Sequence, residues 1–175
     1  MGRPKKYSKY EEQNESEFKK HWLKKLEQHF TIEEEVSGIH ITGKKLRIDA
    51  IIKPKDTSDW KNKNIVFGLE FKSPTKIDRL NNQLNYMRQC VDYSYTKFGD
   101  YGFIPILSCP QFELDETYST SKALKTLKHF LNTFNVGELG ETYRGYSILF
   151  ADSYIWSSGK VELGKRWLLK KKIGS

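Results

Sequence analysis

The chain has 175 residues, 37% of them hydrophobic and 14% aromatic, which suffices for one sizeable core and excludes two ordinary domains. Lys and Arg number 30 against 22 Asp and Glu, a formal charge of +8 that favours a polyanionic partner, nucleic acid ahead of an acidic membrane. No apolar run approaches the 18 or so residues of a membrane span, and Met1–Lys6 has no signal-peptide stretch. A soluble, cytoplasmic protein with no membrane partner is the expectation. Cys90 and Cys109 lack metal-ligand spacing, which excludes a cysteine zinc site or a disulfide scaffold, and both read as buried small hydrophobes.

Residues 1–10 are basic and polar with nothing to bury, and read as a flexible arm before a single domain over 11–175. Ser8 and Glu11 have capping-box spacing, and Phe18, Trp22, Leu26 and Phe30 then recur at helical intervals, predicting a first helix that ends near Phe30. Ile32–Thr42 and Leu46–Lys53 read as strands joined by a turn at Gly43-Lys44-Lys45, the second alternating Leu46, Ile48, Ala50, Ile52 against Arg47, Asp49, Ile51, Lys53. Ile65–Lys72 alternates again, and Ser73-Pro74 stops it. From about Lys76 to Lys97, the residues Ile77, Leu80, Leu84, Met87 and Val91 form the stripe of a long helix packed on a sheet. Gly102–Cys109 is nearly continuous apolar sequence, a strand buried on both faces, with Pro105 marking an edge or bulge. A helix over Ser121–Phe134 and strands over Tyr146–Ile155 and Gly159–Trp167 complete the chain. The order predicts an α/β fold with a central mixed sheet flanked by helices.

Asp49 interrupts an apolar strand, and Glu70 and Lys72 interrupt the next. Two residues apart on a strand, Glu70 and Lys72 share a face about 7 Å apart, with Gly68 leaving space beside them and Ile65, Phe67, Leu69 and Phe71 opposite. If the two strands are neighbours, Asp49 can fall on the same side, so that two carboxylates converge beside one ammonium. Hard divalent cations such as Mg²⁺ take one or two such carboxylates plus water and substrate phosphate, and a metal so held activates a water and polarises a phosphodiester. For an arbitrary Glu-x-Lys a surface ion pair is the commoner meaning; the isolated Asp upstream and the basic chain shift the balance.

Ile48-Asp49, followed after twenty residues by Glu70-Phe71-Lys72, resembles the Asp … Glu-x-Lys signature of the PD-(D/E)XK, or restriction-endonuclease-like, nuclease superfamily, with Ile48 in place of the usual Pro. The element order over about 15–110 is similar to its α-β-β-β-α-β core, leaving 111–175 as an extension. The resemblance implies a Mg²⁺-dependent nuclease, Mn²⁺ able to substitute, that leaves a 5′-phosphate and a 3′-hydroxyl. Asp49 and Glu70 would hold the metal and Lys72 would act at the scissile phosphate. Members often carry a further Glu on the first helix, and on the helical wheel Glu15 alone points into the apolar stripe; the alternative makes Asn14 the N-cap, Glu15 an ordinary first-turn acid and Glu17 its capping-box partner. Several branches also present a Gln on the helix after Glu-x-Lys. Here the wheel favours Gln83 and the Gln-x-x-x-Tyr spacing favours Gln89, with Gln83 preferred.

Arg3, Lys5 and Lys6 of the arm, the cluster Lys44, Lys45 and Arg47, and the stretch Lys165–Lys172 are candidate phosphate contacts. The four histidines have no metal-ligand spacing, and His29 reads as a core residue of the first helix. The function expected is a DNA nuclease, directed to a structure, an end or a partner in replication, recombination, repair or mobile-element processing, with a protein partner or homodimer open. The competing expectations are a non-catalytic nucleic-acid-binding module and an interaction subunit on the same fold.

Overall fold

A computed structural model describes residues 14–58, 60–73, 80–112, 118–151 and 153–159. Arg3, Lys5, Lys6, the Ser8/Glu11 capping box, the strand expected after Gly159 and the basic stretch 165–172 lie outside these residues.

The first helix, α1 (Glu15–Leu26), starts where Asn14 caps it: the Asn14 side chain accepts from the Glu17 N–H at 2.9 Å, and the Glu17 carboxylate accepts from the Asn14 N–H at 3.4 Å. Phe18, Trp22, Leu23 and Leu26 form its buried stripe. The helix stops there because Phe30 opens the first strand, β1 (Phe30–His40), and is not its last turn. His29 lies in the intervening turn, half-buried with its ring edge-on to Trp156 at 5.1 Å, and not on the helix.

β1 is followed by β2 (Lys45–Pro54), β3 (Phe67–Phe71), α2 (Leu80–Ser94), β4 (Thr96–Phe98), β5 (Gly102–Phe103), β6 (Ile106–Cys109), α3 (Tyr118–Thr133), β7 (Val136–Thr142), β8 (Gly145–Phe150) and β9 (Ser153–Ser157). Among the described residues the nine strands form one mixed sheet in the order β5-β4-β1-β2-β3-β6-β7-β8-β9. It is mostly antiparallel, with β6 parallel to both β3 and β7. α1 packs on one face over Phe67, Leu69, Phe71 and Leu107, while α2 and α3 cover the other over Ile51, Ile106 and Val136.

Four expectations are corrected. The helix expected to reach Lys97 ends at Ser94, because Thr96 and Phe98 bury their side chains and Thr96 and Lys97 pair with β1. The apolar run Gly102–Cys109 is two strands: Pro105 separates β5, which pairs with β4 near one edge, from β6 in the centre. Val136–Thr142, unassigned from sequence, is β7, and Tyr146–Ile155 divides into the β8–β9 hairpin. Gly68 leaves no space beside Glu70, since a Cβ there would lie 2.6 Å from Ile48 Cδ1 and 2.8 Å from Ile106 Cδ1.

The even-numbered apolar stripe of β2 does not stay on one face. Ala50 and Ile52 pack with α1, whereas Ile48 and Leu46 pack with α2. The change falls at Asp49, and on β1 the flanking pairs Glu34↔Ala50 and Val36↔Ile48 enclose Glu35, whose φ of 57° is in the left-handed region. Val36 follows Ile48 into the α2 core while Ile32 stays with Ile52 in the α1 core. Asp49 thus occupies the point where the hairpin crosses from one core to the other.

Candidate functional site

The β2–β3 ladder runs through Ile52↔Phe67 and Ile51↔Gly68 to Ala50↔Leu69, so the next step brings Asp49 opposite Glu70. There the Asp49 side chain takes over from the strand, its Oδ2 accepting the Phe71 N–H at 2.8 Å. Beyond Phe71 the chain continues alongside β6, the Lys72 N–H donating to the Cys109 carbonyl at 2.9 Å. Asp49, in the middle of β2, is therefore brought to Glu70 and Lys72 at the end of β3, where the pairing of the two strands stops.

Glu70 is 4% exposed. Its Oε1 accepts from Gln89 Nε2 at 2.6 Å and lies 3.8 Å from Lys72 Nζ. Gln89 Nε2 also approaches the Tyr93 hydroxyl at 3.2 Å, and that hydroxyl donates to the Arg47 carbonyl at 2.8 Å. Tyr86 completes the attachment of α2: its hydroxyl donates to the Glu70 carbonyl at 2.6 Å and accepts the Cys109 N–H at 2.8 Å. Burial is the main reason the Glu70 carboxyl is pushed up to about 8; the Asp49 charge adds to it, Lys72 opposes it and Glu15 adds again.

Gln89 makes a Glu70 contact, and Gln83 is buried on the same helix. A stripe of aliphatic residues alone misorients α2, because Leu84 is 44% exposed and the buried face among the described residues holds Gln83, Tyr86, Met87, Cys90 and Tyr93. With the two tyrosines placed inside, Gln89 stands at the border of that face, one turn before Tyr93.

Glu15 is the first residue of α1, as the Asn14-cap alternative has it, and its Oε1 lies 3.9 Å from Lys72 Nζ. The helix thus reaches the site, but through Lys72. Among the described residues no three His, Cys, Asp or Glu side chains gather into a metal-ligand group. Asp49 and Glu15 both act on the Glu70 charge, and Glu15 stands across the Lys72 ammonium. Carboxylate oxygens of this kind are the ligands a hard divalent cation would take.

A cleft of about 690 Å³ opens beside this group, and Glu15, Lys72, Gln89 and Tyr93 line it together with Lys44 and Arg88. Asp49 and Glu70 do not line it; Glu70 lies behind its contacts Lys72 and Gln89, which do. Of the basic cluster, Lys44 faces the cleft, Lys45 is exposed at the start of β2, and Arg47 is paired with Glu35, Nε to Oε2 at 2.9 Å. Arg88 and Lys19 were not singled out from sequence; the only available signal for Lys19 is its position four residues after Glu15 on the same helix.

A second buried carboxylate was also missed. Glu138 of β7 lies in line with Glu70 through Ser108 of β6. Its Oε1 accepts from the Phe112 N–H at 2.8 Å and lies 3.0 Å from Lys128 Nζ of α3. This pair fastens α3 and the segment after β6 to the sheet.

Both cysteines are buried, as expected. Among the described residues no helix is long and apolar enough to cross a membrane. No family model, curated protein or solved structure matches the chain.

Proposed function

We propose that the chain is a Mg²⁺-dependent nuclease acting on DNA, with Mn²⁺ able to substitute, built on a restriction-endonuclease-like core. The observation that carries the reading is the meeting of Asp49 with Glu70 and Lys72 where the β2–β3 pairing stops, beside a cleft whose wall includes Lys44 and Arg88. Support for the fold reading is the order α1, β1, β2, β3, α2 and then, after the short β4 and β5, β6, with β1–β3 antiparallel and β6 parallel to β3. Asp49 and Glu70 would hold the cation, which when bound supplies an activated water and charge neutralisation at the phosphate. Gln89 and Tyr86 fix Glu70 from the α2 side, and the Phe71 N–H fixes Asp49. Lys72 places an ammonium where charge grows on the scissile phosphate. Lys44 and Arg88 bind flanking phosphates, positioning the strand without reading its sequence.

The test is purified full chain with Mg²⁺ or Mn²⁺ on single-stranded, duplex, flapped and branched DNA, and on RNA, beside Asp49→Ala. Cleavage of DNA that disappears in the variant is expected. Binding without cleavage on every substrate would leave a non-catalytic nucleic-acid module, and cleavage that persists in Asp49→Ala would place the chemistry elsewhere.

A further inference from the structure

Lys19 stands on α1 four residues after Glu15, and its Nζ meets three carboxylates: Glu35 at 2.6 Å, Glu34 at 3.5 Å and Asp49 at 3.6 Å. Its side chain is 15% exposed. The other oxygen of Glu35 is held by Arg47, and Glu35 itself is the left-handed residue opposite Asp49. The Asp49 carboxylate therefore accepts the Phe71 N–H at Oδ2 and has the Lys19 ammonium, whose own hydrogen bond goes to Glu35, 3.6 Å from Oδ1. One turn of α1 makes two crossed ion pairs here, an acid to Lys72 and a base to Asp49.

We infer that Lys19 is a positioning residue for Asp49 and that it sets how tightly the site holds a divalent cation. The inference rests on the metal-dependent reading above. An ammonium this close, and little exposed to screening water, fixes the carboxylate's rotamer and at the same time opposes any second positive charge brought to the same carboxylate. Loss of Lys19 then has two effects of opposite sense, a tighter cation and a slacker ligand. Glu35 moderates both by drawing the ammonium toward itself.

The test measures Mn²⁺ binding to the full chain without substrate, by calorimetry or by the Mn²⁺ spin-resonance signal, alongside single-turnover cleavage. Lys19→Gln should bind Mn²⁺ roughly tenfold more tightly, the size expected of one neighbouring charge, and cleave at least several-fold more slowly. Lys19→Arg should restore both. Glu35→Gln, which releases the ammonium toward Asp49, should weaken Mn²⁺ binding, and the tightening in Lys19→Gln is the change that general destabilisation does not imitate. Unchanged Mn²⁺ affinity in Lys19→Gln, with or without a lower melting temperature, would overturn the inference and leave Lys19 a structural ion pair. Wild-type protein that binds no Mn²⁺ would remove the metal-dependent reading and this inference with it.

Discussion

Replacing Glu70 by Gln keeps the shape of the side chain and removes its charge. In the folded chain the carboxyl titrates near 8 instead of 4.5, chiefly because it is buried and secondly because Asp49 is close. Between those two values the folded protein binds more protons than the unfolded chain, so stability falls as pH rises through this window and levels off above it. The difference corresponds to a ceiling of about 5 kcal/mol, and at about 2–4 °C per kcal/mol for a chain of this size to roughly 10 °C or more. Glu70→Gln lacks that penalty. With chelator present, its melting temperature should match wild type near pH 5 and exceed it by an increasing margin up to about pH 9, while cleavage is lost. Mg²⁺ should raise the wild-type curve most at high pH, where the ionised carboxylate is available, and should leave the variant nearly unmoved. The measurement is a melting series from pH 5 to 9 for both proteins, with and without Mg²⁺. A constant offset between them across the series would mean that Glu70 titrates as an ordinary surface acid, and the buried site described here would be refuted.

Asp49→Asn should abolish cleavage while nucleic-acid binding, read by fluorescence anisotropy with chelator present, stays equal or tightens, since a negative charge near phosphate is lost; wild-type turnover would contradict its role. Lys72→Ala should lower turnover by about 10²–10³ with a much smaller change in binding, and a parallel loss of both, recovered at low salt, would reduce Lys72 to a phosphate contact. Gly68→Ala pushes a methyl against Ile48 and Ile106. Overpacking of this kind costs about 1–3 kcal/mol, and because Ile48 adjoins Asp49, cleavage measured well below the melting temperature should fall as well; an unaltered rate would show that Asp49 is insulated from its core neighbour.

The sequence reveals α1, the β1–β2 hairpin, β3 and α2 because each has a clean period, and Gly43 with its φ of 85° marks the hairpin turn, although both helices end earlier than their periods suggest, at Leu26 and Ser94. It misplaces what periodicity cannot separate. A continuous apolar run such as Gly102–Cys109 looks like one buried strand, and only the absence of a donor at Pro105 hints that β5 and β6 lie on opposite sides of β1, β2 and β3 in the sheet. The stripe of α2 was read from aliphatic side chains, although Tyr86 and Tyr93 carry most of its buried aromatic surface and aim their hydroxyls at backbone carbonyls. That rotation of the wheel is what favoured Gln83 over Gln89.

The legible part of the site is the part written along strands. Asp49, Glu70 and Lys72 are exceptions to apolar alternation, and an exception in a core strand is visible in the letters. Strict alternation, however, would put Ile48 and Ala50 on one face, whereas the two enter different cores. Asp49 tolerates that crossing because its carboxylate satisfies the Phe71 N–H where the paired ladder stops, and opposite it Glu35 adopts the left-handed backbone that a non-glycine residue rarely takes. The irregularity and the candidate chemistry coincide for a physical reason. A carboxylate in the middle of either core needs a donor or cation of its own, as Glu138 has in the Phe112 N–H and Lys128, and one on a regular solvated face would be free to rotate. At the crossing it remains partly exposed, at 26%, yet has a backbone donor at Oδ2 and an ammonium 3.6 Å from Oδ1. These two partners come from β3 and from α1, elements whose distance from Asp49 in the sequence gives no sign of their contact, so the setting of Asp49 becomes apparent only once the helix is laid across β2 and β3.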